Sequence, residues 1–110
     1  MYIHIKGPDV PAHDGRAADK RDVCEDIDEA FVGELLPRID PSRVLIAVTA
    51  DHATSCVRRA HTADPVPLVV GGGEVGADGV TSFGERAAAN GRLGTLRGVD
   101  ILPRLVPLLR

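Results

Sequence analysis

Apolar positions along the chain change rhythm several times, and each change marks an element. Val44-Leu-Ile-Ala-Val48 is an unbroken aliphatic run, the pattern of a strand covered on both faces, as in a parallel sheet. Tyr2-Ile-His-Ile-Lys6 predicts a shorter strand, stopped by Gly7-Pro8. Between them Val23, Ile27, Ala30, Phe31 and Leu35 recur at helical spacing. Arg16, Asp19, Lys20, Asp22, Glu25, Asp26 and Glu29 fill the remainder as a solvated face. A helix from Gly15 to Pro37 is expected, then a turn at Asp40-Pro-Ser-Arg43. Strand, helix and strand make a βαβ unit, so a right-handed crossover and a parallel pair are expected.

Downstream the elements shorten. Leu68-Val-Val70 predicts a third strand, ended by Gly71-Gly-Gly73. Ser82-Phe-Gly-Glu85 has the spacing of a capping box, which would open a helix through Ala89 with Gly91 as its stop. Asp100 can cap a last helix, Ile101 to Leu109, in which Pro103 falls in the first turn and Pro107 should kink or shorten the end.

Candidate chemistry gathers where the predicted strands end. Asp51-His52 follows the aliphatic run directly, at the edge where open α/β sheets bind ligands. A carboxylate beside an imidazole suits a divalent transition metal, although an isolated pair can equally be a turn cap and a polar neighbour. The first strand repeats the arrangement, with Asp9 and His13 in the loop after it, and His61 stands alone further on. Pro8 and Pro11 argue against a regular helix here, so Asp9 and His13 are expected to meet through a folded loop rather than by helical spacing. His4 reads as a packed or edge residue of its strand. Cys56 lies in the ligand loop and is a minor candidate ligand, while Cys24 is expected to pack on its helix. The triple glycine lacks the Lys-Ser/Thr pair of a phosphate loop and reads as a turn.

Composition narrows the classes. The 110 residues amount to one domain, residues 1–110, with 44% hydrophobic and 26% charged residues as in ordinary soluble proteins. At 3% aromatic content the core must come from aliphatic side chains. A net charge of −3 without a basic stripe argues against nucleic acid. The start lacks the apolar run of a signal peptide, and nothing nears the ~18 apolar residues of a membrane span. Two cysteines without zinc spacing fit a reduced, cytoplasmic setting.

Several strings carry a resemblance. Thr49-Ala-Asp-His-Ala-Thr54, Ala60-His-Thr-Ala-Asp-Pro-Val-Pro67 and His4-Ile-Lys-Gly-Pro-Asp9 with His13-Asp-Gly15 are similar to the carboxyl-terminal metalloenzyme segment of cofactor-independent phosphoglycerate mutase, archaeal type, in the alkaline phosphatase superfamily. Gly91-Arg-Leu-Gly94 and Arg97-Gly-Val-Asp-Ile-Leu-Pro103 resemble the tail of that family. The resemblance implies an α/β fold, part of a three-layer sandwich with a mostly parallel sheet. It also implies two divalent ions, usually manganese, with zinc, cobalt or magnesium as alternatives. One ion would use Asp9, His13 and His61, and the other Asp51 and His52.

By the same resemblance the reaction is the interconversion of 3-phosphoglycerate and 2-phosphoglycerate in glycolysis. Lys6, and after it Arg59, could contact phosphate, and each could equally be a solvated cation. The family's nucleophilic serine and the aspartate before it have no counterpart in these residues, and Ser55 stands where the family tends to have proline. The chain alone is therefore expected to be inactive. A missing amino-terminal part or a second chain would complete it, and a homo-oligomer is a further expected assembly. The alternatives are a non-catalytic divalent-metal-binding domain, or part of another phosphomutase or phosphatase of the superfamily.

Overall fold

The computed structural model describes residues 1–109. In chain order the elements are α1 (Asp9–His13), α2 (Ala17–Ile27), a π-helical stretch (Asp28–Val32), α3 (Gly33–Leu35), a 3-10 turn (Leu36–Arg38), β1 (Ile46–Thr49), β2 (Ala53–Ser55), β3 (Ala60–Thr62), β4 (Leu68–Gly71), α4 (Glu85–Ala88), α5 (Gly98–Leu105) and a 3-10 turn (Val106–Leu108). They divide into two compact units: Met1–Arg38 with His52–Asp64, and Ile39–Asp51 with the residues from Pro65 onward.

The first unit opens with a correction. Tyr2 to Lys6 forms no strand; no sheet partner takes up its backbone groups, and Tyr2 and Ile3 are exposed. There is accordingly no parallel βαβ pair among the described residues. The two prolines do not prevent a helix either. Pro8 is the N-cap of α1 and Pro11 its third residue, positions whose N–H groups have no intrahelical acceptor, so losing them costs no helical bond. Gly15, at φ +72°, turns the chain out of this helix, with its N–H bonded to the Ala12 carbonyl at 3.1 Å.

The long helical stretch follows, to Arg38 rather than Pro37, through an α-helix, a π segment and a closing 3-10 turn. Its apolar positions are not enclosed: α2 buries no residue, and Phe31 and Cys24 are exposed. The unit is completed by the hairpin β2–β3, antiparallel, with Ala53 opposite Thr62, Thr54 opposite His61 and Ser55 opposite Ala60. Its loop closes through the Arg59 N–H to the Ser55 carbonyl at 2.7 Å, with Arg59 in the left-handed region at φ 53°.

In the second unit the aliphatic run does form a strand, but an antiparallel one. β1 pairs with β4, Ile46 opposite Gly71 and Thr49 opposite Leu68. The inference to a parallel sheet treated the unbroken run as evidence of cover on both faces. Here Val48 and Val69 are exposed, so hydrophobicity reported the strand and not its direction. The sheets among the described residues are two antiparallel pairs.

The capping box at Ser82 is not made: α4 starts at Glu85 behind Gly84, without a side-chain cap. α5 begins at Gly98, earlier than Asp100 suggested, with Arg97 as N-cap and Pro103 inside the helix rather than in its first turn. At Pro107 the chain tightens to a 3-10 turn. Among the described residues, Pro11, Ala12 and Leu105 are the buried apolar residues, and no large side chain is fully enclosed.

Asp78 is the staple of this unit's loops. Its carboxylate accepts the Val80 N–H at 3.0 Å and the Arg92 N–H at 2.9 Å, and the Arg92 guanidinium donates to the Gly76 carbonyl at 2.6 Å. These backbone donors, Arg92 first, hold the Asp78 carboxyl below its ordinary range. A depressed carboxyl stabilises the fold above its unfolded value and loses that contribution as pH falls through the folded one. Asp78→Ala is expected to lower the melting temperature at neutral pH, with the difference from the parent closing in acid below the ordinary aspartate range. Hydrogen exchange checks the cause: the Val80 and Arg92 amides should lose protection in the variant.

Candidate metal centre

The candidate ligands of the first unit converge on one carboxylate. α1 carries Asp9 and His13 one helical turn apart, so that His13 Nε2 lies 3.4 Å from Asp9 Oδ1. The expectation that they could meet only through a folded loop was wrong, for the proline reason given above. β3 brings His61 from the other side, its Nε2 at 3.6 Å from the same oxygen. His52, just before β2, stacks on His61 with ring centroids 3.6 Å apart, and its Nδ1 lies 3.1 Å from the Thr54 hydroxyl. Ligand atoms of Asp9, His52 and His61 all fall within 4.8 Å of one another.

The chemistry of this donor set fits a divalent cation. His13 Nδ1 is 3.2 Å from the Arg59 carbonyl oxygen, which can only accept, so Nδ1 carries the ring proton. In the neutral ring Nε2 then turns a lone pair toward the Asp9 carboxylate, an arrangement that calls for a cation between them, proton or metal. Fixing the far ring nitrogen on a carbonyl is how metal-binding imidazoles are held. The Asp9 carboxyl is kept below its ordinary value by the Thr54 hydroxyl first, with the His13, His61 and His52 imidazoles adding to this against partial burial. Asp9 is therefore anionic and ready to ligate. Its side chain is 22% exposed, against 42% for His13 and 53% for His61, so the imidazoles form the accessible rim.

The remaining candidates lie as follows. Asp51 is the last residue of its stretch in the other unit, one peptide bond before His52. Lys6 is exposed ahead of α1, and its carbonyl accepts the Asp9 N–H at 3.3 Å. Arg59 is exposed at the hairpin loop, and the contact it makes to the cluster is through its carbonyl. Cys56 and His4 are not among the clustered ligand atoms.

Two residues escaped the sequence reading. Lys20 donates from Nζ to the Thr54 carbonyl at 2.8 Å, tying α2 to β2, and the Thr54 hydroxyl donates to Asp9 Oδ1 at 2.8 Å. The spacing His52-x-Thr54, two residues apart where a strand begins, was the available signal for Thr54. Lys20 had none, since on sequence it is one of many charges on a solvated helix.

Residues 1–106 match the metalloenzyme superfamily. The chain is also similar to 2,3-bisphosphoglycerate-independent phosphoglycerate mutases: 39% identical to that of Pyrococcus horikoshii, 42% to that of Methanoculleus marisnigri and 45% to that of Methanosphaerula palustris. Each match runs over 109 residues, 99% of this chain and 26% of the relative. The chain thus spans about a quarter of the length of the curated relatives it matches. The solved structure of the PH0037 protein from Pyrococcus horikoshii superimposes with a TM-score of 0.92 at 41% identity, over 96% of this chain and 32% of that one. Among the described residues no helix is long and apolar enough to cross a membrane. With ligand atoms of Asp9, His52 and His61 gathered in one cluster and a family match over residues 1–106, the chain belongs to the metalloenzyme superfamily.

Proposed function

We propose that this chain is the metal-binding part of a 2,3-bisphosphoglycerate-independent phosphoglycerate mutase that interconverts 3-phosphoglycerate and 2-phosphoglycerate in the cytoplasm, and that it holds two divalent ions, manganese by preference. The observation that carries this is the shared oxygen: Asp9 Oδ1 faces His13 Nε2 and His61 Nε2 at 3.4 and 3.6 Å. Asp9, His13 and His61 make up one ligand set, and His52 with Asp51 contributes to the second.

When bound, such ions neutralise a phosphoryl group and lower the barrier to forming a hydroxyl nucleophile. The chain's own share is to hold and orient them. Asp9 supplies the fixed charge, the Arg59 carbonyl sets the His13 ring, and the exposed cations of Lys6 and Arg59 are available to a substrate phosphate. The resemblance gives none of these groups the nucleophile's role: the Thr54 hydroxyl donates to Asp9 Oδ1, and the Ser55 hydroxyl accepts the Arg58 N–H at 3.1 Å. In-line transfer needs an attacking oxygen as well as charge, so the serine comes from outside these 110 residues.

The test is calorimetric titration with manganese, cobalt and zinc at neutral pH, followed by a coupled assay on 3-phosphoglycerate. About one ion should bind well and a second weakly, with no turnover by the chain alone. Turnover should appear when the amino-terminal part of one of the relatives is added. No ion bound would sink the reading. A single ion bound as well by a His13→Ala variant would favour one centre on Asp9, His52 and His61. Ion binding without turnover after complementation would favour a non-catalytic metal-binding domain.

A further inference from the structure

We propose that Gly15 is a positioning residue of the metal centre. Its missing side chain leaves the space in which the turn of the β2–β3 hairpin lies, and that turn carries the carbonyl that holds His13. The proposal rests on the reading of the cluster as a metal centre with His13 among its ligands.

Gly15 answers two demands, and only the first is local. At the end of α1 the Gly15 N–H bonds to the Ala12 carbonyl at 3.1 Å and the Arg16 N–H to the Pro11 carbonyl at 2.8 Å, with Gly15 at φ +72°. These are the paired bonds of a Schellman ending, a demand that asparagine also meets. The second demand comes from the hairpin. A Cβ built at Gly15 would stand 2.7 Å from Arg59 Nε, 3.3 Å from Arg59 Cζ and 3.2 Å from the Cys56 carbonyl oxygen. The guanidine could swing aside. The Cys56 carbonyl belongs to the backbone, so the turn itself must give. A side chain at position 15 therefore pushes the hairpin off the end of α1, and asparagine fails here with the rest.

The turn is built to aim one carbonyl. Arg59 is held at φ 53°, a conformation that persists in an L-residue only where its surroundings impose it. The Arg59 N–H bonds to the Ser55 carbonyl at 2.7 Å, and the Arg58 N–H to the Ser55 hydroxyl at 3.1 Å. Both bonds stay within the hairpin. The bond that crosses to α1 is the one from His13 Nδ1–H to the Arg59 carbonyl, at 3.2 Å. It turns His13 Nε2 toward Asp9 Oδ1, 3.4 Å away. At 3.2 Å this bond is already at the long end of the range. A small retreat of the turn breaks it, and the His13 ring loses the partner that fixes its tautomer.

Four proteins test it: the parent chain, Gly15→Ala, Gly73→Ala and Arg59→Gly. Gly73→Ala is the control for backbone strain. Gly73 is also left-handed, at φ +59°, but a Cβ there would meet the Leu108 carbonyl oxygen at an ordinary 3.6 Å, in the other unit. Arg59→Gly removes the side chain and keeps the carbonyl on a residue suited to a positive φ. Cobalt affinity is read by calorimetry below each melting temperature. The His13 tautomer is read by nitrogen-15 NMR of the metal-free chain at a pH where the ring is neutral. We expect Nδ1–H on His13 and similar cobalt affinity in the parent, Gly73→Ala and Arg59→Gly. In Gly15→Ala we expect loss of that tautomer and roughly 10- to 100-fold weaker cobalt binding, the range for removing an outer-shell partner.

A folded Gly15→Ala that keeps Nδ1–H, or binds cobalt as the parent does, would overturn the proposal and leave the metal centre standing. Equal losses in Gly73→Ala would overturn it too, since strain alone would then suffice. No cobalt bound by the parent would overturn the metal centre, and the proposal with it. If Gly15→Ala does not fold, the parent and Arg59→Gly decide: Nε2–H on His13 in either overturns the proposal, whereas Nδ1–H in both supports it.

Discussion

Gly72→Ala is expected to destabilise the protein by more than ~2 kcal/mol, roughly 10 °C or more in melting temperature for a domain of this size. Gly72 sits at φ +92°, where an L-residue is strained. A Cβ built there would run into the Val44 carbonyl oxygen and stand 3.1 Å from that of Pro41. Both are backbone atoms, and the Gly73 N–H bonds to the same Pro41 carbonyl at 2.7 Å, so neither side can yield cheaply. The neighbouring glycines grade the effect. Gly73, at φ +59° with ordinary contacts from 3.6 Å, should cost on the order of 1 kcal/mol as alanine. Gly71 has open space and no positive φ, and should tolerate it. Thermal melts of the three variants check this; equal losses at Gly71 and Gly72 would remove the steric account.

His61→Ala is expected to abolish most of the gain in melting temperature that a divalent ion confers. An ion that binds only the folded state stabilises it by about 2.7 kcal/mol at 100 times its dissociation constant. His61 is clustered with Asp9 and His52, so its loss removes one of three converging ligand atoms. His4→Ala is the control, since His4 is outside the cluster and meets Tyr2, whose hydroxyl is 3.5 Å from Nδ1 with its ring tilted beside the imidazole. The measurement is the shift on adding manganese, variant by variant. Similar losses in both would point to a general effect of histidines rather than to a site.

The sequence made residue types and short spacings legible, and little that depends on distant neighbours. Asp9, His13, His52 and His61 stood out because three of the four histidines follow apolar runs with an aspartate close by, and the fold gathers them. The aliphatic run at β1 was visible, but strand direction is settled by the partner, and β4 meets Thr49 at Leu68, 19 residues on. α1 was hidden because a proline was weighed by its presence rather than by its position in the first turn. β2 and β3, at three residues each, are too short for any period to show. The roles of Thr54 and Lys20 depend on partners 45 and 34 residues away, which no local window contains.

Those long separations have a kinetic side. The bonds that close the cluster join residues 45 and 46 positions apart, Thr54 to Asp9 and His13 to Arg59. The helix and hairpin that carry them are each local and quick to form, whereas joining them requires a long loop to close first. An ion meets its full set of ligands only after that closure. It therefore acts late on the folding path, leaving the rate of folding nearly unchanged and slowing the rate at which the native chain comes apart.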